Sequence, residues 1–323
     1  KTLLIIMSLF FIGILAACAP DREETPSENS EGNGSTEEAD KPEKLVIWED
    51  NDKGVGLEPA IASFEEEFGI EVEYREMDMA TDIRDQLRLD GPSGQGPDVI
   101  TLPHDQIGQV AIEGLIDPLN VDQSILEIYT ESSVESQTYN GQLYGLPKAT
   151  ETPVLIYNKE LMSEAPETYE ELFEISKEFE GTDEYGFLAL WDNFYHANSV
   201  MQGFGGYVFG EEDGVPNPQD LGINNDGAIE GAEYIQKWYE EIFPSGIIGE
   251  SGGSAKDGLF QEGMVAANMD GPWAFQLLTE AGIDYGVSPL PKLPNGEYPI
   301  TFTGVKGWHL SSFSENKEWA TKL

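Results

Sequence analysis

The chain has 323 residues, 39% hydrophobic and 11% aromatic, enough to build one large or two smaller globular cores. Its 61 acidic residues outnumber 17 basic ones, for a net charge of -44. That field repels nucleic acid and anionic membrane surfaces, so nucleic-acid binding is excluded. A lone cysteine leaves no internal disulfide framework.

In chain order, Leu3–Ala17 is a short apolar run ending in small residues, which predicts a secretory signal over residues 1–17. Leu15-Ala16-Ala17-Cys18 is similar to the lipobox of bacterial lipoproteins, which implies cleavage before Cys18 and a lipid on its sulfur. Of a basic n-region only Lys1 remains, with no initiator Met, so residues are expected to be missing before it. Residues 18–43 are rich in Glu, Ser, Pro, Asn and Gly without apolar period. Such a segment reads as a disordered acidic linker.

Folding is expected from Lys44. Leu45–Trp48 reads as a strand; Leu57, Ile61, Phe64 and Phe68 recur at helical spacing, and Gly69 stops that helix. Ile70, Val72 and Tyr74 alternate as a strand, Ile83 and Leu87 mark a helix, and Pro97–Leu102 predicts the next strand. A helix with Ile107 and Val110 ends at Gly114, and Asn140-Gly141 signals a hairpin. Gly145–Met162 reads as a crossover between two α/β lobes, with a polar kink at Lys148–Glu151, a strand over Thr152–Tyr157 and a helix capped by Asn158 over Lys159–Met162.

The grammar then restarts. Thr168 and Glu171 form a capping box, Gly186–Leu190 is a strand, and Ile229, Ile235, Trp238 and Ile242 mark an amphipathic helix. Met264–Met269 is a strand, and Gly271-Pro272-Trp273 opens a helix. Tyr285–Val287 and Pro299–Phe302 read as return strands. A helix from Glu315 reaches Leu323 without a stop signal, which suggests an interrupted element.

Polar clusters fall at strand ends: Asp50–Lys53, His104–Gln106, Asp192–His196 and Asp270–Trp273. Open α/β sheets bind ligands there. Carboxylates that accept paired hydroxyl bonds, beside Trp and Tyr faces, suit a neutral sugar. A glycoside hydrolase using Glu151 and Asp105 is the enzyme alternative, although so acidic a chain produces carboxylate pairs by chance. No nucleophile-elbow, zinc-protease or P-loop pattern occurs, and His104, His196 and His309 are widely spaced. Asp50-Asn51-Asp52 starts like a calcium loop, but Lys53 and Gly54 break the pattern. No metal or cofactor is expected.

Leu45–Gly54, Gly96-Pro97-Asp98 with His104-Asp105, Leu155–Lys159, Gly205–Tyr207, Asn268–Trp273 and Gly304-Val305 occur in the order found in maltose/maltodextrin-binding proteins. The chain after Lys44 resembles that family, the solute-binding components of ATP-driven (ABC) sugar importers. The resemblance implies a two-lobe α/β fold of periplasmic-binding-protein type, a first lobe over residues 44–150 plus 306–323 and a second over 153–303. It also implies a family chain extending beyond Leu323, and an oligosaccharide bound by Asp50, Asp52, Lys53, Asp105, Glu151, Tyr195 and Trp273. The expected protein is not an enzyme. It is a monomer held on the outer face of the membrane by its lipid, delivering sugar to permease subunits. Leu102 stands where the family pattern has an aromatic platform and Gln106 where it has arginine, so cyclodextrin or another oligosaccharide stays open as the ligand.

Overall fold

The computed structural model describes residues 41–212 and 215–323. The expected signal, Cys18 and most of the linker lie outside them. Among the described residues no helix is long and apolar enough to cross a membrane.

The first lobe is built on a mixed sheet. Its strands run in the order Glu71–Met77, Lys44–Asp50, Val99–Pro103, Gly304–Ser311 and Ile116–Asp117, and Gly145–Glu151 also pairs with Gly304–Ser311. The first three are parallel, and Gly304–Ser311 returns antiparallel. Strand alternation explains how both faces are buried. Leu45 and Ile47 pack with Phe64, Ile70 and Trp319, whereas Trp48 packs on the other side with Ile83, Leu87 and Ile107. The helix Glu58–Phe68 ends as expected at Gly69, whose φ of 60° needs the left-handed region.

The second lobe carries a sheet ordered Tyr285–Ser288, Val154–Asn158, Val265–Asp270 and Tyr185–Leu188. Its core is aromatic: Trp238 lies edge-on to Phe173, Phe187 and Trp191. Thr168 caps the helix Tyr169–Glu178 by accepting from the Glu171 amide at 3.1 Å. The chain thus folds as two α/β lobes.

Several expectations are corrected. Lys148–Glu151 is not a kink but the end of the strand Gly145–Glu151; the break falls at Thr152-Pro153. There the Thr152 hydroxyl reaches Thr301 Oγ1 at 2.6 Å and the Phe302 carbonyl at 2.8 Å, joining the two crossovers. Lys159–Met162 is a single turn, not a helix. Asn158 accepts from the Glu160 amide through its side chain and from Met162 through its carbonyl, and Pro166 bars its predecessor from helical geometry. Pro299–Phe302 is irregular rather than a strand: Pro299 has no N–H, and the Ile300 amide bonds to the Ser199 carbonyl at 2.9 Å. Ile229, expected on the apolar helix face, is 50% exposed.

The hairpin Phe209–Glu212 with Val215–Leu221 and the helix Gly249–Gln261 have no counterpart in the sequence reading. That helix contains four glycines, which propensity argues against. Packing demands at least one: a Cβ on Gly252 would lie 2.7 Å from the Ile247 backbone.

Candidate functional site: the facing ends of the two lobes

The strand Lys44–Asp50 delivers Glu49 and Asp50 to the carboxyl end of the first sheet. Asp50 Oδ1 accepts from the amides of Asn51 and Met79 at 3.0 and 3.1 Å, and its Oδ2 lies 3.4 Å from Lys306 Nζ. Lys306 Nζ also pairs with Glu151 Oε1 at 2.8 Å. Burial pulls the Lys306 ammonium down, but Glu151 and Asp50 outweigh it and hold the group above its ordinary range. Beside them Lys148 pairs with the fully buried Glu49 and sits 4.4 Å over the Trp308 ring. Here burial wins and the Lys148 ammonium is pushed down despite Glu49.

The loop after Asp50 turns sharply. Asp52 adopts φ 59°, which short polar side chains tolerate. The Tyr74 ring covers Gly54 so closely that a Cβ there would lie 2.0 Å from it. This turn aims Lys53 across the cleft, and its Nζ donates to the Trp273 carbonyl at 3.1 Å. Asp105 is exposed in the short turn His104–Gln106, and His104 Nδ1 accepts from the Val305 amide at 3.2 Å.

The second lobe answers with rings. Asn193 Oδ1 accepts from the Tyr195 amide at 2.9 Å and starts the helix Phe194–Gly203. The Tyr195 ring lies 6.3 Å from Trp273 and is stacked on Phe302 at 5.9 Å. Burial, then the charges of Glu151 and Asp105, push the Tyr195 phenol up to about 12. Trp273 is half-buried and stands outside the aromatic core. Its ring fills the space above Gly271, where a Cβ would lie 2.1 Å from it. The Gly271 amide donates to Asp270 Oδ1 at 2.8 Å, while Asp270 Oδ2 accepts from buried Lys256 Nζ at 2.7 Å. Nearby, His196 is depressed to about 4 by burial and by Lys256, against Asp270.

The structure therefore gathers Asp50, Lys53, Glu151, Tyr195 and Trp273. Asp105 joins through its charge on Tyr195, and exposed Asp52 stands beside Lys53 in the same turn. Sequence reasoning missed Lys306 and Phe302. Both flank the Gly304-Val305 signal, but what they touch depends on pairings some 150 residues apart in sequence. Leu102 and Gln106 face inward: Leu102 is fully buried, and Gln106 donates to the Ala80 carbonyl at 2.9 Å. An apolar cavity of about 160 Å³ lies in the first lobe between Ile61, Trp308 and Leu323, but its lining shares no residue with this group.

The sequence profile of bacterial extracellular solute-binding proteins matches residues 59–323. A galactooligosaccharide-binding protein of Bacillus subtilis is 47% identical over 313 residues, covering 96% of this chain and 72% of the relative. The maltodextrin-binding protein MdxE of Bacillus subtilis is 36% identical, over 82% of this chain and 64% of its own length. The crystal structure of MalX from Streptococcus pneumoniae, in complex with maltopentaose, superposes with a TM-score of 0.79 at 34% identity, covering 86% of this chain and 75% of that one.

Proposed function

The chain belongs to the bacterial extracellular solute-binding proteins, and from that premise we propose that it captures a neutral oligosaccharide between its lobes and hands it to an ABC importer without transforming it. One observation carries this: the hydrogen bond from Lys53 to the Trp273 carbonyl at 3.1 Å, which puts the charged end of one lobe and the aromatic end of the other on a single site. Asp52, Lys53, Asp105 and Glu151 supply hydrogen bonds to ring hydroxyls, with Asp50 beside them. Tyr195 and Trp273 supply flat apolar faces. The proposed lobes span 44–150 plus 306–323 and 153–303, and the pairing of Gly304 with Glu151 supports counting those two residues with the first.

The preferred ligand is a maltodextrin-type α-glucan, or its cyclic form. A galacto-oligosaccharide is the second reading, favoured by the relative at 47% identity. Cys18 carries the lipid that holds a monomeric protein on the outer face of the membrane, facing permease subunits. Cys18→Ser should release it from membranes; unchanged fractionation overturns the anchor.

Calorimetric titration with maltodextrins, cyclodextrins and β-galacto-oligosaccharides, with product analysis, tests the whole. Saturable binding of one class without shortened products is expected. Turnover would establish a glycoside hydrolase, and failure of every sugar to bind would remove the reading.

A further inference from the structure

Lys306 lies in the return strand Gly304–Ser311, and its register opposite Ala149 places it diagonally across from Glu151 on the same face of the sheet. Its side chain is 13% exposed, buried enough to be held and open enough to be reached. The other two cations of this region have anchors of their own: Lys148 pairs with buried Glu49 over the Trp308 ring, and Lys53 donates to the Trp273 carbonyl. Lys306 is fixed by two carboxylates. An ammonium carries three hydrogens; Glu151 and Asp50 take two, and the third has no protein acceptor among the described residues.

Its surroundings face the ligand. A Cβ at Gly304, two residues earlier on the strand, would lie 3.9 Å from both Glu151 Cγ and the Tyr195 hydroxyl, so the second lobe closes down beside Glu151 and Lys306. Asp50 looks different in this setting. One of its oxygens is held by the Asn51 and Met79 amides and the other faces Lys306. Asp50 thus has little capacity left for a sugar and serves to anchor the ammonium.

We propose that Lys306 is a ligand-binding residue of the cleft, donating its free ammonium hydrogen to a ring hydroxyl of the oligosaccharide, with Glu151 and Asp50 fixing its position. This rests on the cleft reading above. A charge-assisted bond made in a partly dry site with both partners pre-oriented is among the stronger contacts available to a neutral sugar.

The test is calorimetry with maltotetraose and a β-galactotetraose, using whichever binds the wild type more tightly. Lys306→Met should weaken binding roughly 10- to 100-fold, as for loss of a hydrogen bond to a charged group. The decisive comparison is made on the Glu151→Gln background. A direct contact predicts a further loss of at least about fivefold there, because the sugar then loses the ammonium donor as well as the carboxylate acceptor. No further loss would mean that Lys306 acts only by holding Glu151, and would overturn the proposal. Should Lys306→Met fail to fold, Lys306→Arg keeps the charge near both carboxylates while moving the donors; weaker binding is expected, and unchanged affinity would overturn the contact. If neither tetrasaccharide binds the wild type, the cleft reading itself falls, a result distinct from every mutant outcome.

Discussion

The two faces of the cleft are built in opposite ways. On the first lobe Lys306 stands at the site between Asp50 and Glu151, with the Glu49–Lys148 pair and a mainly aliphatic core behind it. On the second lobe rings stand at the surface, and charge lies behind: Trp273 rests on Gly271, whose amide is pinned by Asp270, itself paired with buried Lys256. An ion pair thus does different work in each place. At the cleft, it orients the groups proposed to meet a ligand. Buried under a turn, it fixes the backbone from which an aromatic platform projects.

The largest expected effect breaks the second arrangement. Lys256→Met leaves the Asp270 carboxylate buried without its cation, which should lower unfolding stability by about 3–5 kcal/mol. Denaturant titration measures it. If stability is unaffected, Asp270 does not depend on its cation and the contrast between the faces weakens.

Trp273→Ala separates platform from core. Half-buried and outside the aromatic cluster, Trp273 should cost about 2–4 kcal/mol of sugar binding when removed, or roughly thirty- to a thousand-fold in affinity. Its melting temperature should change far less than that of Trp238→Ala, since Trp238 is fully buried. A Trp273→Ala protein that melts early yet binds sugar normally would place this indole in the core instead.

Each lobe also holds one histidine whose neutral form is favoured. Burial lowers both His196 and His309 to about 4, His196 also under the charge of Lys256. Depressed histidines are penalised when protonated, so their contribution is present above the unfolded pKa near 6.5 and is lost as pH falls from there toward 4. For fully buried His309 the span is on the order of 3 kcal/mol. His309→Gln should flatten the acid limb of the stability curve between those values. An unchanged slope would mean that this ring does not titrate as buried.

The smallest effect sharpens the charged face. Glu151→Gln keeps shape and one acceptor, and should cost only about 1–2 kcal/mol of binding, read by the same calorimetry. A loss as large as that of Trp273→Ala would contradict the division of labour.

Much of the scaffold was legible because its signals are local. Gly69, the Asn140-Gly141 turn between Thr138–Tyr139 and Gln142–Leu143, and the Thr168 cap each act within a few residues. The continuous apolar run Leu45–Trp48 fits a parallel strand buried on both sides. The glycine-rich helix Gly249–Gln261 was hidden because its four glycines argue against a helix, and the close packing that requires Gly252 is not visible in local sequence. At the candidate site, Tyr195 and Trp273 were expected from strand ends and a family resemblance, and their rings lie 6.3 Å apart. Lys306 was not, because its meaning comes from pairing with Gly145–Glu151, far away in sequence. Asp50 was recognised, but local sequence does not reveal that the Met79 amide and Lys306 occupy its oxygens.

The most direct measurement is a crystal structure of the protein with the tightest-binding oligosaccharide. A sugar ring is expected against the Trp273 indole, with its hydroxyls within hydrogen-bond reach of Glu151 and Lys53. Sugar bound elsewhere, or an empty cleft at concentrations that saturate binding in solution, would contradict a ligand site shared by a charged lobe and an aromatic one.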